Sequence, residues 1–236
     1  LMRITLIGYG KMGKLLERKA IERNHVISNI LDNEDWNSQD LIGCDVAIDF
    51  STPHSAVHNI RKSFEMGIPI IVGTTGWNQH LKKVKDWCKE YNGTILSASN
   101  FSLGVNIFFE INKHLSNLMN NYPIYNTYIE ETHHKEKLDS PSGTAISTAE
   151  IIISKLDKYN NWDNSNSKDA NIIPIIAKRE SDVSGIHEVV YENSIDEIKV
   201  SHKAKNREGF AIGALIAAEF LFGKKGFYTM KDVLKF

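Results

Sequence analysis

The side chains best suited to chemistry are clustered near the middle of the chain. His133 and His134 are adjacent, and Lys137 follows three residues after the second of them. Histidine transfers protons near neutral pH, and lysine can donate a proton or bind a carboxylate. The segment continues into Pro-Ser-Gly-Thr at the start of a predicted helix, where N–H groups and hydroxyls around Gly143 and Thr144 are suited to bind a carboxylate. This set therefore predicts a site for an anionic substrate that receives a proton.

Two other interpretations of the same segment remain open from the residues alone. Metal binding by His133, His134 and Glu136 is disfavoured, because adjacent residues of a strand point to opposite faces. No C-x-x-C or H-x-x-x-H spacing completes such a site either, so no metal is predicted. A solvated, charged loop before a capped helix also accounts for the local residues.

A second group of residues has the spacing of a phosphate-binding turn. Gly8-Tyr9-Gly10-Lys11-Met12-Gly13 stands between a predicted strand and a predicted helix. In such a turn the first glycine permits the tight bend, the second lets the backbone approach a pyrophosphate, and the third lets the helix pack on the strand. Asp32 lies 19 residues after Gly13, where an acid is the expected partner of a ribose 2′-hydroxyl. The pattern predicts dinucleotide binding, and a doubly wound domain without a cofactor is the weaker interpretation.

The choice of cofactor depends on few residues. Asp32 favours NADH, because a carboxylate repels the 2′-phosphate of NADPH, but Lys11 and Asn33 leave NADPH open. Gly73-Thr74-Thr75-Gly76 follows another predicted strand. Ligands of a doubly wound sheet lie at the carboxyl ends of its strands, although an ordinary turn explains these four residues as well.

Elements that could position these residues alternate regularly in the first hundred residues. Predicted strands cover residues 3–7, 26–31, 45–50, 69–74 and 94–98. Predicted helices cover residues 11–23, 53–66 and 78–91, the second opened by a Ser-Thr-Pro cap. This alternation predicts an α/β fold, a Rossmann-type doubly wound parallel sheet.

The pattern then changes to that of an α+β domain. Helices are predicted at residues 103–120 and 144–158, with strands at 126–133, 172–177, 186–192 and 195–202. Strands without intervening helices indicate an open, mixed and mostly antiparallel sheet. The polar residues 160–167 are predicted to form a surface loop. A last helix at 209–223 is apolar on nearly all sides, which predicts burial at an interface.

Composition excludes several classes of protein. The 236 residues are 42% hydrophobic and 24% charged, as in globular proteins and unlike disordered chains. The net charge of −1 argues against nucleic-acid or membrane-surface partners. An anionic ligand must therefore meet local positive charge. The candidates for that cluster are His133, His134, Lys135 and Lys137, joined by Lys203, Lys205 and Arg207.

Cysteine content and hydropathy indicate the compartment. Cys44 and Cys88 are too few for a disulfide framework. The first residues lack the pattern of a secretory signal, and the apolar run at 210–222 is shorter than the roughly 20 residues of a membrane span. We therefore expect a cytoplasmic protein.

The central segment resembles the signature of bacterial dihydrodipicolinate (4-hydroxy-tetrahydrodipicolinate) reductases. Residues 131–145 follow the pattern E-x-H-H-x-x-K-x-D-x-P-S-G-T-A. Further similarities span essentially the whole chain: the glycine turn, Ile48-Asp49-Phe50-Ser51, Val72 to Gly76, Ser99 to Val105 and Ser201 to Arg207.

This resemblance implies an activity and residue roles. The family reduces 4-hydroxy-tetrahydrodipicolinate to tetrahydrodipicolinate with NADH or NADPH, in the diaminopimelate and lysine pathway. It implies that His133 donates or accepts a proton, that Lys137 donates one, and that His134, Gly143 and Thr144 hold a substrate carboxylate. The implied cofactor contacts are Gly8, Tyr9, Gly10, Lys11, Met12, Gly13, Asp32, Gly73, Thr74, Thr75, Ala98, Ser99, Asn100 and Phe101.

The resemblance also implies how the chain is organised. Residues 1–101 and 209–236 would bind the dinucleotide, and residues 102–208 would bind substrate and form a homotetramer through their sheet. Aspartate- or sugar-oxidising dehydrogenases share the glycine turn but not the His-His-x-x-Lys and Pro-Ser-Gly-Thr residues. A regulator that only senses NAD(H) has no need of a proton donor such as Lys137.

Overall fold

The chain folds into eleven strands and seven helices within the residues that the computed structural model describes: 1–33, 35–137, 139–164 and 169–235. The strands are β1 Arg3–Ile7, β2 Val26–Leu31, β3 Val46–Asp49, β4 Ile70–Val72, β5 Thr94–Ser97, β6 Asn126–His133, β7 Asn161–Asp163, β8 Ile172–Arg179, β9 Ile186–Glu192, β10 Glu197–Lys203 and β11 Gly226–Tyr228. The helices are α1 Lys11–Glu22, α2 Pro53–Glu65, α3 Leu81–Glu90, α4 Leu103–Met119, α5 Gly143–Ile153, α6 Glu208–Leu221 and α7 Met230–Leu234. They form two compact units: residues 1–103 with those from 208 onward (unit 1), and residues 104–207 (unit 2).

Unit 1 contains a six-stranded sheet in the order β11-β5-β4-β3-β1-β2. Every neighbouring pair is parallel. The central strands β1, β3, β4 and β5 are short and almost wholly buried, as expected for a sheet covered by helices on both faces, whereas the edge strands β2 and β11 are partly exposed. The predicted Rossmann-type sheet is confirmed. The sequence did not predict β11 or α7, because three and five residues are too few for a recognisable periodicity.

Local signals explain where the helices of unit 1 begin. Thr52 caps α2 by accepting a hydrogen bond from the Ser55 N–H, and Pro53 occupies the first turn, as predicted. The helix predicted at 209–223 is α6. It packs in the core of unit 1 beside α1, β3, β4 and β5, so its apolar surface is buried within the unit. It is not the last element of the chain, because β11 and α7 follow it. Among the described residues, no helix combines the length and apolar character that a bilayer crossing requires.

Unit 2 contains a mixed sheet in the order β10-β9-β6-β8-β7. β6 and β10 run antiparallel to β9, whereas β8 is parallel to both β6 and β7. The predicted mixed sheet is confirmed, but it is not mostly antiparallel. The difference arises because α5 carries the chain back along the sheet, so that the next two strands run in the direction of β6.

The largest differences from the prediction in unit 2 concern a loop and the end of a helix, whereas β8 and β10 are shifted by only one or two residues at their ends. The predicted loop at 160–167 contains β7 at Asn161–Asp163, and its residues 165–167 lie outside the described part. Helix α5 ends at Ile153 instead of residue 158. The apolar pattern continues past the helix because Leu156 and Tyr159 are still buried in the core, where the Tyr159 hydroxyl accepts the Thr127 N–H at 2.8 Å.

Candidate active site

The glycine turn of unit 1 is packed tightly against the end of β3. Gly8 has φ +87°, and a Cβ there would lie 2.4 Å from the carbonyl oxygen of Phe50. A Cβ on Gly13 would lie 2.4 Å from the Gly8 carbonyl oxygen, so α1 needs a glycine at this crossing. A Cβ on Gly10, in contrast, would meet nothing within 4 Å. The backbone at Gly10 is therefore open to a ligand, while its two partner glycines are fixed by packing.

The amino end of α1 offers further donors beside this open backbone. Gly10 is the N-cap of the helix and supplies no side-chain hydrogen bond to its first turn. The first N–H groups of a helix lack intrahelical partners and carry the positive end of its dipole. An anion such as a pyrophosphate therefore fits this position.

Asp32 follows β2 and lies beside the same turn. Its Oδ1 accepts the Tyr9 N–H at 2.8 Å. The hydrogen bonds of the described residues leave Oδ2 available for a ligand hydroxyl. The carboxylate is thus both a support of the glycine turn and a candidate partner of a ribose.

Two cavities of unit 1 bring the predicted cofactor residues together. One has a volume of about 250 Å³ and the other about 360 Å³, and both include Gly10, Phe50 and Ser51. The predicted residues in the first are Gly8, Tyr9, Gly10 and Asp32. Those in the second are Gly10, Lys11, Met12, Gly73, Thr74 and Thr75. The residues present therefore fit a dinucleotide.

The four residues predicted after β5 are placed differently. Ala98, Ser99, Asn100 and Phe101 line neither of these two cavities in the described structure. Phe101 is buried in the core with its ring centroid 5.9 Å from that of Phe50. The Asn100 side chain accepts the N–H of Ser102 at 2.9 Å. In this structure the segment supports the cavity wall through Phe50.

The buried carboxylate of Asp49 holds the carboxyl ends of β3 and β4 together. The sequence analysis did not assign this supporting role to Asp49. Asp49 is fully buried and accepts hydrogen bonds from the hydroxyls of Thr74 at 2.5 Å and Ser51 at 2.8 Å. The Asn59 amide donates to it at 2.7 Å. Burial raises the pKa of Asp49, although these donors oppose the rise. The sequence offered one signal for this role: Asp49 is the only acid in an otherwise apolar strand, and a buried acid needs several hydrogen-bond partners.

In unit 2 the first of the two central histidines is held by a buried acid. His133 is the last residue of β6, and its Nδ1 forms a hydrogen bond with the carboxylate of Glu131. The other oxygen of Glu131 accepts from Arg179 at 3.1 Å and from the Ser142 N–H at 3.2 Å. Burial opposes ionisation of Glu131, but His133 and Arg179 hold the pKa of its carboxyl below the ordinary value.

Lys137 is held by a second acid. Its Nζ lies 2.7 and 2.8 Å from the two carboxylate oxygens of Asp139. Arg179 donates from Nη2 to the Asp139 carbonyl oxygen at 2.8 Å. Burial works against the charge of Asp139, yet the ion pair with Lys137 keeps its pKa below the ordinary value. The same arginine therefore contacts both acids.

The remaining predicted substrate residues lie in the same unit. Nδ1 of His134 is buried and has no hydrogen-bond partner among the described residues. Gly143 and Thr144 begin α5, and a Cβ on Gly143 would meet nothing within 4 Å. Ser142 caps the helix by accepting the Ala145 N–H at 3.2 Å. The amino end of α5 and the unpartnered imidazole nitrogen of His134 are each suited to bind a carboxylate ligand.

His187 completes this group and was not predicted. It is 4% exposed, and its ring stands edge-on to that of His133 with 5.0 Å between centroids. Its Nε2 lies 3.0 Å from the Ser142 hydroxyl. The register that pairs it with Glu131 places it here, and sequence does not reveal register between distant strands. Sequence analysis missed Arg179 for the same reason, since its position beside His133 follows from the register of β8 against β6.

Ligand atoms of Glu131, His133 and His187 lie within 4.8 Å of one another, close enough for a cation. The carboxylate is already bound to Arg179, whose positive charge opposes cation binding at this point. The set differs from the His133, His134 and Glu136 considered from the sequence. In the structure Glu131 is hydrogen-bonded to His133, and the ring of His133 packs against that of His187.

The predicted positive cluster is partly assembled at one edge of this sheet. Lys203 ends β10 opposite Ile186, and Ile186 pairs with Thr132 beside His133. Lys205 and Arg207 follow Lys203 and are exposed. The ends of β6 and β10 therefore present cations on the same side.

His187 should make unfolding depend on pH. Burial, and then the charges of His133, His202 and Lys137, lower its pKa from 6.5 to about 3, while Glu131 acts in the opposite direction. Between these two values the unfolded chain binds a proton at His187 and the folded chain does not. The free energy of unfolding should therefore fall as the pH is lowered from 6.5 towards 3, by about 1.4 kcal/mol per pH unit from this group.

Urea unfolding of the wild type and of His187→Gln over this pH range measures the effect. The slope should be shallower in the variant by that amount. His54→Gln is the control, because His54 is exposed. Equal slopes for the wild type and His187→Gln would contradict the prediction.

Comparison with known proteins places the chain in a family. Residues 2–101 match the family model "Dihydrodipicolinate reductase, N-terminus", and residues 104–234 match "Dihydrodipicolinate reductase, C-terminus". The 4-hydroxy-tetrahydrodipicolinate reductase of Christiangramia forsetii is 48% identical over 237 residues, 99% of this chain and 98% of that protein. The enzyme of the same name from Methanocaldococcus jannaschii is 34% identical, over 80% of this chain and 71% of its own.

A solved structure supports the fold independently. The dipicolinate-bound dihydrodipicolinate reductase of Paenisporosarcina sp. TG-14 superposes with a TM-score of 0.79, covers 97% of each chain and is 22% identical in sequence. At that identity the likeness concerns the fold, which agrees with the two sheets described above. Since the two family matches cover nearly all of the sequence, this chain belongs to the dihydrodipicolinate reductase family.

Proposed function

We propose that this chain reduces 4-hydroxy-tetrahydrodipicolinate to tetrahydrodipicolinate with NADH or NADPH, in the diaminopimelate and lysine pathway. The observation that carries the proposal is the network in unit 2 in which Glu131 and Arg179 connect His133, Lys137 and the amino end of α5. A dicarboxylic substrate that gains a proton needs these three components. The relatives at 48% and 34% identity bear the name of this activity.

The residues of unit 1 would hold the cofactor. Gly8 to Gly13 would receive the pyrophosphate, Asp32 the adenosine ribose, and Gly73 to Thr75 the adjoining part of the dinucleotide. Ala98 to Phe101 complete the proposed contacts, through backbone rather than the buried ring of Phe101. The cofactor, when bound, supplies a hydride.

The residues of unit 2 would hold the substrate and supply the proton. His134, Gly143 and Thr144 would bind one carboxylate. Lys137 would donate a proton, and His133 would donate or accept one beside it. Overall, the reduction adds one hydride and one proton, and the 4-hydroxyl group of the substrate leaves with one substrate hydrogen as water, so each turnover takes up one proton.

A coupled assay tests the function directly. The synthase that makes 4-hydroxy-tetrahydrodipicolinate generates the substrate in the cuvette, and the loss of nicotinamide absorbance reports reduction. We expect consumption of NADH, NADPH or both that depends on the synthase. Absence of synthase-dependent consumption with either cofactor would refute the proposal.

The cofactor preference is proposed to be for NADH, through Asp32. Asp32→Ala should weaken NADH by about tenfold, or 1.4 kcal/mol, because a hydrogen bond from the ribose is lost. NADPH should be weakened less, since removal of the carboxylate also removes repulsion of the 2′-phosphate. The side chain supports Tyr9 as well, so the ratio of the two dissociation constants is the informative quantity. Titration by nucleotide fluorescence measures it.

Asp35→Ala is the matched control for this ratio, because Asp35 is a nearby exposed acid. It should leave both dissociation constants unchanged. Equal weakening of NADH and NADPH in Asp32→Ala would show that this carboxylate does not discriminate between them.

The proposal includes a homotetramer formed through the sheet of unit 2, in the cytoplasm. Ile195, which precedes β10, and Ile198, which lies within it, are 82% and 39% exposed, which favours burial between copies. Cys44 and Cys88 are free and buried, as suits a reducing compartment. Sedimentation equilibrium should give four times the mass of one chain, and a mass of one chain would contradict the tetramer.

A further inference from the structure

We propose that Glu131 and Arg179 are positioning residues for proton transfer: Glu131 fixes the imidazole of His133, and Arg179 fixes both Glu131 and the loop that presents Lys137. This inference rests on the proposed function. It assigns roles to two residues that touch neither substrate nor cofactor in the proposed scheme.

The two carboxylate oxygens of Glu131 have different hydrogen-bond partners. Oε2 faces His133 Nδ1, while Oε1 accepts from both the Arg179 guanidinium and the Ser142 N–H. The side chain is fully buried, so it has no water to turn towards. An ionised carboxylate only accepts hydrogen bonds, and therefore the proton of the shared bond belongs on Nδ1.

The other ring nitrogen of His133, Nε2, lies next to Gly185. A Cβ on Gly185 would lie 3.1 Å from His133 Nε2. Glycine at this position therefore leaves space beside Nε2, and the hydrogen bond to Glu131 prevents the ring from turning over. With Nδ1 protonated by its partner, Nε2 is the atom that exchanges a proton with substrate.

The guanidinium group of Arg179 forms hydrogen bonds to both Glu131 and Asp139. Its Nη1 donates to Glu131 at 3.1 Å and its Nη2 to the Asp139 carbonyl oxygen at 2.8 Å. The Asp139 carboxylate in turn holds Lys137 Nζ. A planar guanidinium presents its donors in a fixed geometry, so one side chain sets the separation between the two acids. His133 and Lys137 are thereby positioned from a single residue at the end of β8.

Glu131 also supports the proposed carboxylate site at the amino end of α5. The Ser142 N–H bound to Glu131 immediately precedes Gly143 and Thr144. The Ser142 hydroxyl also contacts His187, whose ring packs edge-on against His133. Movement of Glu131 would therefore disturb the histidine and the helix end together.

Glu131→Gln tests the first role, because an amide has one accepting oxygen where the carboxylate has two. Oε1 meets two donors, so the amide oxygen should stay there and the NH₂ should face His133 Nδ1. The imidazole must then carry its proton on Nε2. We expect kcat to fall by about 10²- to 10⁴-fold, with less than about threefold change in the dissociation constant of NADH, which unit 1 is proposed to bind.

The readout that a merely structural role would not move is the protonation of His133. Nitrogen-15 spectra of histidine-labelled enzyme, recorded between about pH 6 and 9, should show the neutral ring protonated on Nδ1 in the wild type and on Nε2 in Glu131→Gln. Glu130→Gln is the matched control, since Glu130 pairs with Lys178 at 3.0 Å in a neighbouring strand position. It should leave both kcat and the His133 tautomer unchanged.

Arg179→Lys tests the second role. A lysine keeps a positive charge beside Glu131 but cannot donate to Glu131 and to the Asp139 carbonyl in the fork geometry. We expect kcat to fall about tenfold or more while the tautomer of His133 is retained. Arg179→Lys also serves if Glu131→Gln does not fold, because it preserves the buried charge pair.

Three outcomes would overturn the inference. One is a folded Glu131→Gln enzyme with nearly wild-type kcat. Another is a fall in kcat without a change of tautomer, which would make Glu131 structural only. The third is full activity of Arg179→Lys. If the wild type fails the coupled assay, the proposed function fails instead, while the spectra of the ligand-free protein still report whether Glu131 sets the tautomer.

Discussion

Lys137→Ala is expected to lower kcat by about 10²- to 10⁴-fold, the usual contribution of a positioned general acid. The dissociation constant of NADH should stay within about threefold of the wild-type value, since the proposed cofactor contacts lie in unit 1. The Lys137 ammonium is held by both oxygens of Asp139. Its position is therefore defined before substrate arrives, as a proton donor requires.

Lys137→Arg distinguishes proton donation from simple attraction of a carboxylate. Arginine keeps the positive charge but does not release a proton at neutral pH. We expect the arginine variant to restore substrate binding and not kcat. Lys82→Ala is the control, because Lys82 is an exposed lysine on α3 that has no proposed role. Steady-state kinetics in the coupled assay decide the matter, and near-normal turnover by Lys137→Ala would reject the assignment.

Gly8→Ala and Gly10→Ala should separate folding from cofactor binding in the glycine turn. At Gly8 the new Cβ would lie 2.4 Å from a backbone oxygen of Phe50, and φ is +87°. We expect Gly8→Ala to lower the free energy of unfolding by about 2 to 4 kcal/mol, because backbone must move and the strained φ remains. NADH binding should fall by at least about 100-fold, since the turn leaves its position beside β3.

At Gly10 the result should differ. A Cβ there meets nothing within 4 Å, so Gly10→Ala should change the free energy of unfolding by less than about 0.5 kcal/mol. It should still weaken NADH, because the methyl group occupies the open backbone that a pyrophosphate would approach. Urea unfolding and fluorescence titration of both variants give the two quantities. Equal destabilisation by the two substitutions would contradict this division of roles.

The sequence predicted five of the six strands of unit 1, because each of the five is a short run rich in β-branched and apolar residues between clear turn residues. β1, for example, was predicted with the bounds observed. Errors occurred where burial and secondary structure part company. Residues after Ile153 continue the apolar spacing of α5 but pack as a loop. β7 is a three-residue strand, Asn-Trp-Asp, within a polar stretch, and its pairing with β8 is a tertiary effect.

The same limit applies to the candidate site. His133, Lys137, Gly143 and Thr144 are close in sequence, so their types and spacing indicate a site directly. Arg179 contributes through the register of β8 against β6, and this register follows from packing rather than from any local signal. Residues that support a site across strands therefore escape sequence analysis, although they share its physical logic.

The division of unit 1 by an insertion has a consequence for protein synthesis. β11 pairs with β5, and α6 supplies buried residues such as Leu215 and Leu221 to the core around β1 and β3. A ribosome releases these elements only after all of residues 104–207. Unit 2 can therefore fold as soon as it emerges, whereas the first hundred residues must wait with an apolar sheet face uncovered. Chaperone demand during translation should consequently centre on the amino-terminal segment, and it should end when Tyr228 leaves the exit tunnel.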